Sequence, residues 1–165
     1  VMNTSVKQLK THDNIGLKTA SVIRLFKDVN VYLKREVIKN VEVFTNVQQV
    51  EDYLVLRYKG QVNEEFRVLY LNSKNILLKD GAISTGTAAK TYIDYTVLAK
   101  EILAIGATGI IVLHNHPSGN NSPSQQDLVT TKSLRQFLVF LGVRFLDHFI
   151  IGADSLYSFA KNDLL

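Results

Sequence analysis

The spacing of apolar residues changes period several times along the chain, and each change predicts an element. Leu9, Ile15, Ala20, Ile23 and Phe26 recur at helical intervals in an opening rich in Lys, Asn and Val. They predict two helices joined at a tight turn near Asn14 and Gly16, the second running over about 18–37. Val47, Val50, Tyr53 and Leu54 share a face behind a Thr45-Asn46 cap and predict a helix ending near Gly60. Residues 65–71 and 76–83 read as a hairpin about a turn at 72–75, followed by a loop over 81–86. A helix over 92–105 is expected to face inward through Ile93, Val97, Ile102 and Leu103. Residues 108–113 form an unbroken apolar run with β-branched members, the pattern of a strand buried on both faces. A polar loop over 118–123 then leads to a helix over about 124–141, which Gly142 stops. Strands over 143–151 and 156–159 close the chain. Strands alternating with helices predict an α/β fold with a mixed sheet flanked by helices. The expected division is a helical segment over 1–40 and one domain over 41–165.

Composition narrows the possible chemistry. With 46% hydrophobic and 21% charged residues in 165, the chain can bury an ordinary core. There is no cysteine, which excludes disulfides and thiolate metal sites, so any transition-metal site must use His and carboxylate. The net charge of +4 is a weak pull toward acidic partners, with no dense Lys/Arg patch to focus it. The longest apolar stretch, 102–113, is broken by Gly106 and Gly109 and falls short of the about 20 residues that span a bilayer. No signal-peptide pattern opens the sequence, so a cytoplasmic protein with no membrane partner is expected.

The candidate chemistry lies where the buried strand ends, at His114-Asn115-His116-Pro117. Alternate residues of a strand point to one face, so the two imidazoles can grip one cation. Pro117 ends the ladder and leaves both rings at its mouth. After seven residues comes Ser124, then Asp127 one turn into the next helix, close enough for a folded-back loop to add a carboxylate. Two nitrogens and one oxygen with a free fourth position is the arrangement of a catalytic zinc. Ser124-x-x-Asp127 by itself also reads as a helix capping box, and a lone His-x-His is commonly incidental. The joint spacing favours a metal.

His-x-His, seven residues, Ser-x-x-Asp resembles the JAMM motif of zinc-dependent isopeptidase-like proteins. The fuller run His114-Asn115-His116-Pro117-Ser118-Gly119, then Pro123-Ser124-x-x-Asp127, is similar to the RadC branch. Further likeness lies in Glu64-x-Phe66 with Val68-Leu69-Tyr70-Leu71-Asn72, in Gly86-Thr87, in Leu146-Asp147-His148 with Ile150-Ile151-Gly152, and in Ser158-Phe159. The resemblance covers about residues 41–165. It implies a JAMM/MPN-like (cytidine-deaminase-like) fold and Zn2+ held by His114, His116 and Asp127. It further implies Glu64 as general base and Ser124 as a donor to the tetrahedral intermediate. Glu65 is the alternative base, because adjacent strand residues face opposite ways and the register could slip by one. One departure is Tyr95-Thr96-Val97, where the family has Pro-Arg-Glu opening the helix, which bears on the substrate surface and not on the metal ligands.

Three further features complete the reading. His148 is either a satisfied structural histidine or a partner behind the ligands, with Asp147 pointing the other way. His12 has no sequence partner and reads as surface. Asn14-Ile15-Gly16 stands where a helix-hairpin-helix has Gly-hydrophobic-Gly, a turn whose backbone N–H groups contact a nucleic-acid phosphate; an inert helical pair is the alternative. Two functions therefore stand. One is a zinc hydrolase cleaving a peptide or isopeptide bond of an unknown peptide or protein, in a protein type commonly labelled DNA repair. The other is a non-catalytic DNA-associated module with a structural or vestigial metal site.

Overall fold

A computed structural model describes residues 5–38, 42, 47–58, 61, 63–85 and 93–165. The elements are α1 (Val6–Leu9), α2 (Leu17–Ile38), α3 (Val47–Tyr58), β1 (Glu65–Leu71), β2 (Leu77–Thr85), α4 (Tyr95–Ile105), β3 (Gly109–Asn115), α5 (Gln125–Phe140), β4 (Arg144–Ile151) and β5 (Leu156–Ser158), with a final 3-10 turn at Ala160–Asn162. The strands form one sheet in the order β2-β1-β3-β4-β5. β1 pairs antiparallel with both β2 and β3, whereas β3 and β4 run parallel, joined by α5 as a crossover. The fold is thus mixed α/β, a five-stranded sheet flanked by helices.

Both faces of the sheet are covered. On one, Ile38 of α2 and Val50, Tyr53, Leu54 and Tyr58 of α3 pack on Leu69, Leu71, Ile111, Leu113, Phe149 and Ile151. On the other, Leu98 and Ile102 of α4 and Leu134 and Leu138 of α5 pack on Phe66, Val68, Tyr70, Ile110 and Val112. β3 sits in the middle and is buried along its whole length, which accounts for its unbroken apolar run.

Three expectations are corrected. Val97 and Leu103 do not face inward; they are 46% and 76% exposed, while Leu98 and Ile102 are buried. α4 is apolar over much of its circumference, so periodicity alone does not choose the stripe. The choice follows from the start of the helix, where the Asp94 side chain caps the N–H groups of Thr96 and Val97. Gly81 is not in a loop, because β2 continues to Thr85 and Gly81 pairs with Val68 beneath the Tyr70 ring. At the first turn it is Asn14, with φ 68, that takes the left-handed conformation, and Gly16 does not. α1 is a single turn closed by a Ser5–Gln8 capping box, and it buries Leu9. Thr45, Asn46, Gly60, Gly86, Thr87 and Tyr92 lie outside the described residues.

Candidate metal centre

The site lies at the carboxyl end of β3, where the parallel crossover turns into α5. This is the place at which an α/β sheet opens a crevice. His114 is on the α4/α5 face of the sheet, with Phe66 stacked on its ring at 5.6 Å and 12°. The ladder extends one residue past β3, since His116 N–H donates to the Ile151 carbonyl at 2.9 Å. This keeps His116 on the same face as His114. The loop after Pro117 folds back against the β4–β5 turn, where Ala153 N–H donates to Gly119 O at 3.0 Å and Asn121 donates to Ser155. Gly152 is required there, because a Cβ would meet Gly119 O at 2.6 Å. α5 then begins at the Ser124 cap. The Ser124 N–H and hydroxyl both donate to Asp127 Oδ2, at 2.7 and 2.6 Å, and the Ser124 oxygen accepts from Asp127 N–H. The capping box and the placement of Asp127 are therefore one structure. The helix dipole favours an anion at this first turn.

The three side chains converge. His114 Nε2 lies 3.1 Å from Asp127 Oδ1, His116 Nε2 lies 3.4 Å from Asp127 Oδ2, and the two Nε2 atoms are 3.0 Å apart. One ligating atom from each residue lies within 4.8 Å of the others.

Which of these nitrogens carry protons follows from the surrounding network. His116 Nδ1 faces the Asn120 carbonyl at 2.8 Å; a carbonyl only accepts, so Nδ1 is protonated and Nε2 of the neutral ring is bare. Thr131 donates its only hydroxyl proton to the Asp127 carbonyl at 2.6 Å, so its oxygen accepts from His148 Nδ1 at 2.7 Å. His148 is fully buried, with Thr131 and His114 and no carboxylate bonded to its ring nitrogens, so that ring is neutral; burial, then the neighbouring His114, push its pKa the same way, well below its ordinary value. His148 Nε2 then accepts from His114 Nδ1 at 2.9 Å, which leaves His114 Nε2 bare. With both rings neutral, two bare imidazole nitrogens and a carboxylate oxygen thus face one another. Such a set repels itself unless a proton or a metal cation sits at its centre, and nitrogen and carboxylate donors suit zinc and its first-row neighbours.

The electrostatics express the same demand. Asp127, despite the opposing cost of burial, is held well below the ordinary carboxylate range by His114, His116 and Ser124. The Asp127 carboxylate raises the His116 pKa against a desolvation cost, with smaller help from the Asn120 carbonyl and Glu64. The centre favours positive charge.

The two candidate bases separate cleanly. Glu65 points to the α2/α3 face, where it accepts from Arg67 at 2.6 Å and from Gln61 at 3.3 Å. Glu64 belongs to the His114 side of the strand entrance, near enough to raise the His116 pKa. Its segment is held by Asn115, which sits between the two histidines with its side chain on the other face. The Asn115 amide donates to Asn63 O at 3.1 Å and accepts from Glu65 N–H at 2.9 Å, so it grips the chain on both sides of Glu64. Sequence reasoning passed over Asn115 and Thr131. Strand alternation places Asn115 opposite the histidines, which was a readable signal; Thr131 had none. His148 is buried as a structural histidine would be, and the partners that satisfy it are Thr131 and His114. Asp147 accepts from Ser158 and from the Ala160 N–H and braces the β5 corner. His12 is exposed.

Known proteins agree with this architecture. The profile of the RadC-like JAB domain matches residues 44–164. The chain belongs to the RadC-like JAB-domain family. Among its relatives, the UPF0758 protein YfjY of Escherichia coli K12 is 36% identical over 86% of this chain and 89% of its own length. YkfG of the same strain is 39% identical over 74% of this chain and 77% of its own. A UPF0758 protein of Pseudoalteromonas translucida is 31% identical over 100% of this chain and 74% of its own length. Among the described residues of this RadC-like chain no helix is long and apolar enough to cross a membrane.

Proposed function

We propose that this chain is a zinc-dependent hydrolase that cleaves a peptide or isopeptide bond. The observation that carries the reading is the convergence of His114 Nε2, His116 Nε2 and the Asp127 carboxylate at the mouth of a buried strand. His114, His116 and Asp127 would hold the ion. When bound, zinc would supply the Lewis acidity that acidifies water and polarises a carbonyl. The remaining work falls to the chain. Glu64, near enough to act on the His116 charge, takes the proton of the attacking water and returns it to the leaving amine. Asn115 holds the Glu64 backbone at the strand end. Ser124 keeps Asp127 oriented. For its hydroxyl to serve the tetrahedral intermediate as well, that proton must swing from Asp127 Oδ2 to the substrate oxygen, while the backbone N–H of Ser124 retains the carboxylate.

The exposed left-handed turn at Asn14 keeps a second activity open, a phosphate contact with DNA through Asn14, Ile15 and Gly16. One experiment separates the two. Zinc stoichiometry, cleavage of a peptide and isopeptide panel, and duplex-DNA binding at rising salt are measured for the wild type and His116→Ala. Zinc and cleavage lost together support the hydrolase. Salt-sensitive DNA binding unchanged by the substitution, with no cleavage by zinc-loaded wild type, overturns it in favour of the DNA-associated module.

A further inference from the structure

The structure assigns His148 and Thr131 as the positioning residues that hold His114 in the tautomer able to bind a metal. This inference rests on the reading of the cluster as a metal centre and goes beyond it.

The path begins and ends on Asp127. Its backbone carbonyl accepts the Thr131 hydroxyl, Thr131 accepts from His148 Nδ1, His148 Nε2 accepts from His114 Nδ1, and His114 Nε2 faces the Asp127 carboxylate. Every link is 2.6–3.1 Å long. The two ends, carbonyl and carboxylate, only accept, and the three groups between them can reverse; the carbonyl link is the shorter, 2.6 against 3.1 Å, so it takes the Thr131 proton and sets the direction of the others. Reversed, His148 would present Nε2–H to His114, which would have to place its own proton on Nε2. That proton would occupy the lone pair needed for the ion. One hydroxyl on the second turn of α5 therefore fixes the tautomer of a ligand on β3.

Packing holds the path in place. His148 and Thr131 are 0% and 1% exposed, so water does not substitute for either. The Phe159 ring stacks on His148 at 4.6 Å and 17°, and Phe66 covers both imidazoles. A second consequence follows from the closed path. The first turn of α5 supplies the oxygen ligand through its side chain and the directing acceptor through its backbone. Fraying of that turn would remove one ligand and release the tautomer of another, so metal binding and helix start are coupled.

The test reads tautomers and affinity without requiring a substrate. Nitrogen-15 NMR of histidine-labelled wild type, with and without Zn2+, identifies the protonated nitrogen of each ring. Zinc affinity is measured by competition with a chromophoric chelator for wild type, Thr131→Val and Thr131→Ser, with thermal melts to confirm folding. The expected result is His148 protonated at Nδ1 and His114 at Nδ1. Thr131→Val, which keeps the shape and loses the acceptor, should weaken zinc by about 10- to 100-fold, as loss of a partner behind a ligand does. Thr131→Ser should recover most of that loss. Wild type with His148 protonated at Nε2, or folded Thr131→Val binding zinc as tightly as wild type, overturns the assignment. If Thr131→Val does not fold, the wild-type tautomers decide alone. A wild type that binds no zinc refutes the metal centre, while its metal-free tautomers still decide the path.

Discussion

Two polar clusters are buried on opposite faces of β1, and they differ in one respect. On the α2/α3 face, Arg67 donates to Asp80 Oδ1 at 2.7 Å and to Glu65 at 2.6 Å, and Tyr53 donates to Asp80 Oδ2 at 2.5 Å. Donors there meet acceptors, and burial, then the Asp80 charge, push the Tyr53 hydroxyl pKa well above its ordinary value, so it stays a donor. On the α4/α5 face, His114, His116 and Asp127 present acceptor to acceptor. A matched cluster is complete within the protein and serves the fold. An unmatched one is complete only with something added, and that mismatch marks it as a site. Adjacent residues Glu64 and Glu65 fall one on each side of this divide.

Substitutions that cross the divide test it. The largest effect should come from Glu64→Gln, which should lower cleavage by about 10²–10⁴-fold with zinc still bound. Glu65→Gln should leave cleavage intact and cost about 1–3 kcal/mol in urea denaturation. Equal catalytic losses in both variants would erase the distinction between the faces. Next comes Arg67→Met. Leaving Asp80 and Glu65 without their cation should destabilise by about 3 kcal/mol, while zinc stoichiometry stays unchanged. Zinc lost from a folded Arg67→Met protein would mean that the two clusters are one. A smaller change is expected for Asn115→Ala. It frees the segment that carries Glu64, and a displacement of that order costs up to about 10²-fold in kcat, with zinc affinity retained.

The smallest effect is on pH dependence in the zinc-free protein. The His116 pKa is raised above 6.5, so its contribution to stability is full below the unfolded value and lost as pH rises through the raised one. The Asp127 pKa is lowered from 3.8, so its contribution is present above the unfolded value and lost as pH falls through the depressed one. The pair should therefore stabilise most between those limits, and Asp127→Asn should flatten that part of a stability–pH curve. Apparent zinc affinity should climb with pH until it passes the raised His116 value, because zinc and a proton compete for the same Nε2. A zinc affinity independent of pH across that range would place the ligand atom elsewhere.

Much of this was legible in the residues. The unbroken apolar run before His114 announced a central strand, and β3 is buried throughout. Gly142 ends α5 with φ 68, as a glycine after a helix does. The spacing from His116 to Ser124 and Asp127 is met by a loop that folds back on the β4–β5 turn. The inward stripe of α4 is not legible in its residues, since an apolar helix offers several candidate faces and the cap and sheet choose among them.

Local order in the chain determined the strand, its two histidines on one face and the capped turn that carries Asp127, because these depend on backbone periods of two and 3.6 residues. Proton placement was decided elsewhere. Thr131 on α5, His148 on β4 and His114 on β3 meet only because the parallel crossover brings the three elements together. The direction of a hydrogen bond depends on which acceptor lies at the end of the chain of partners, and only the folded protein brings that acceptor into place.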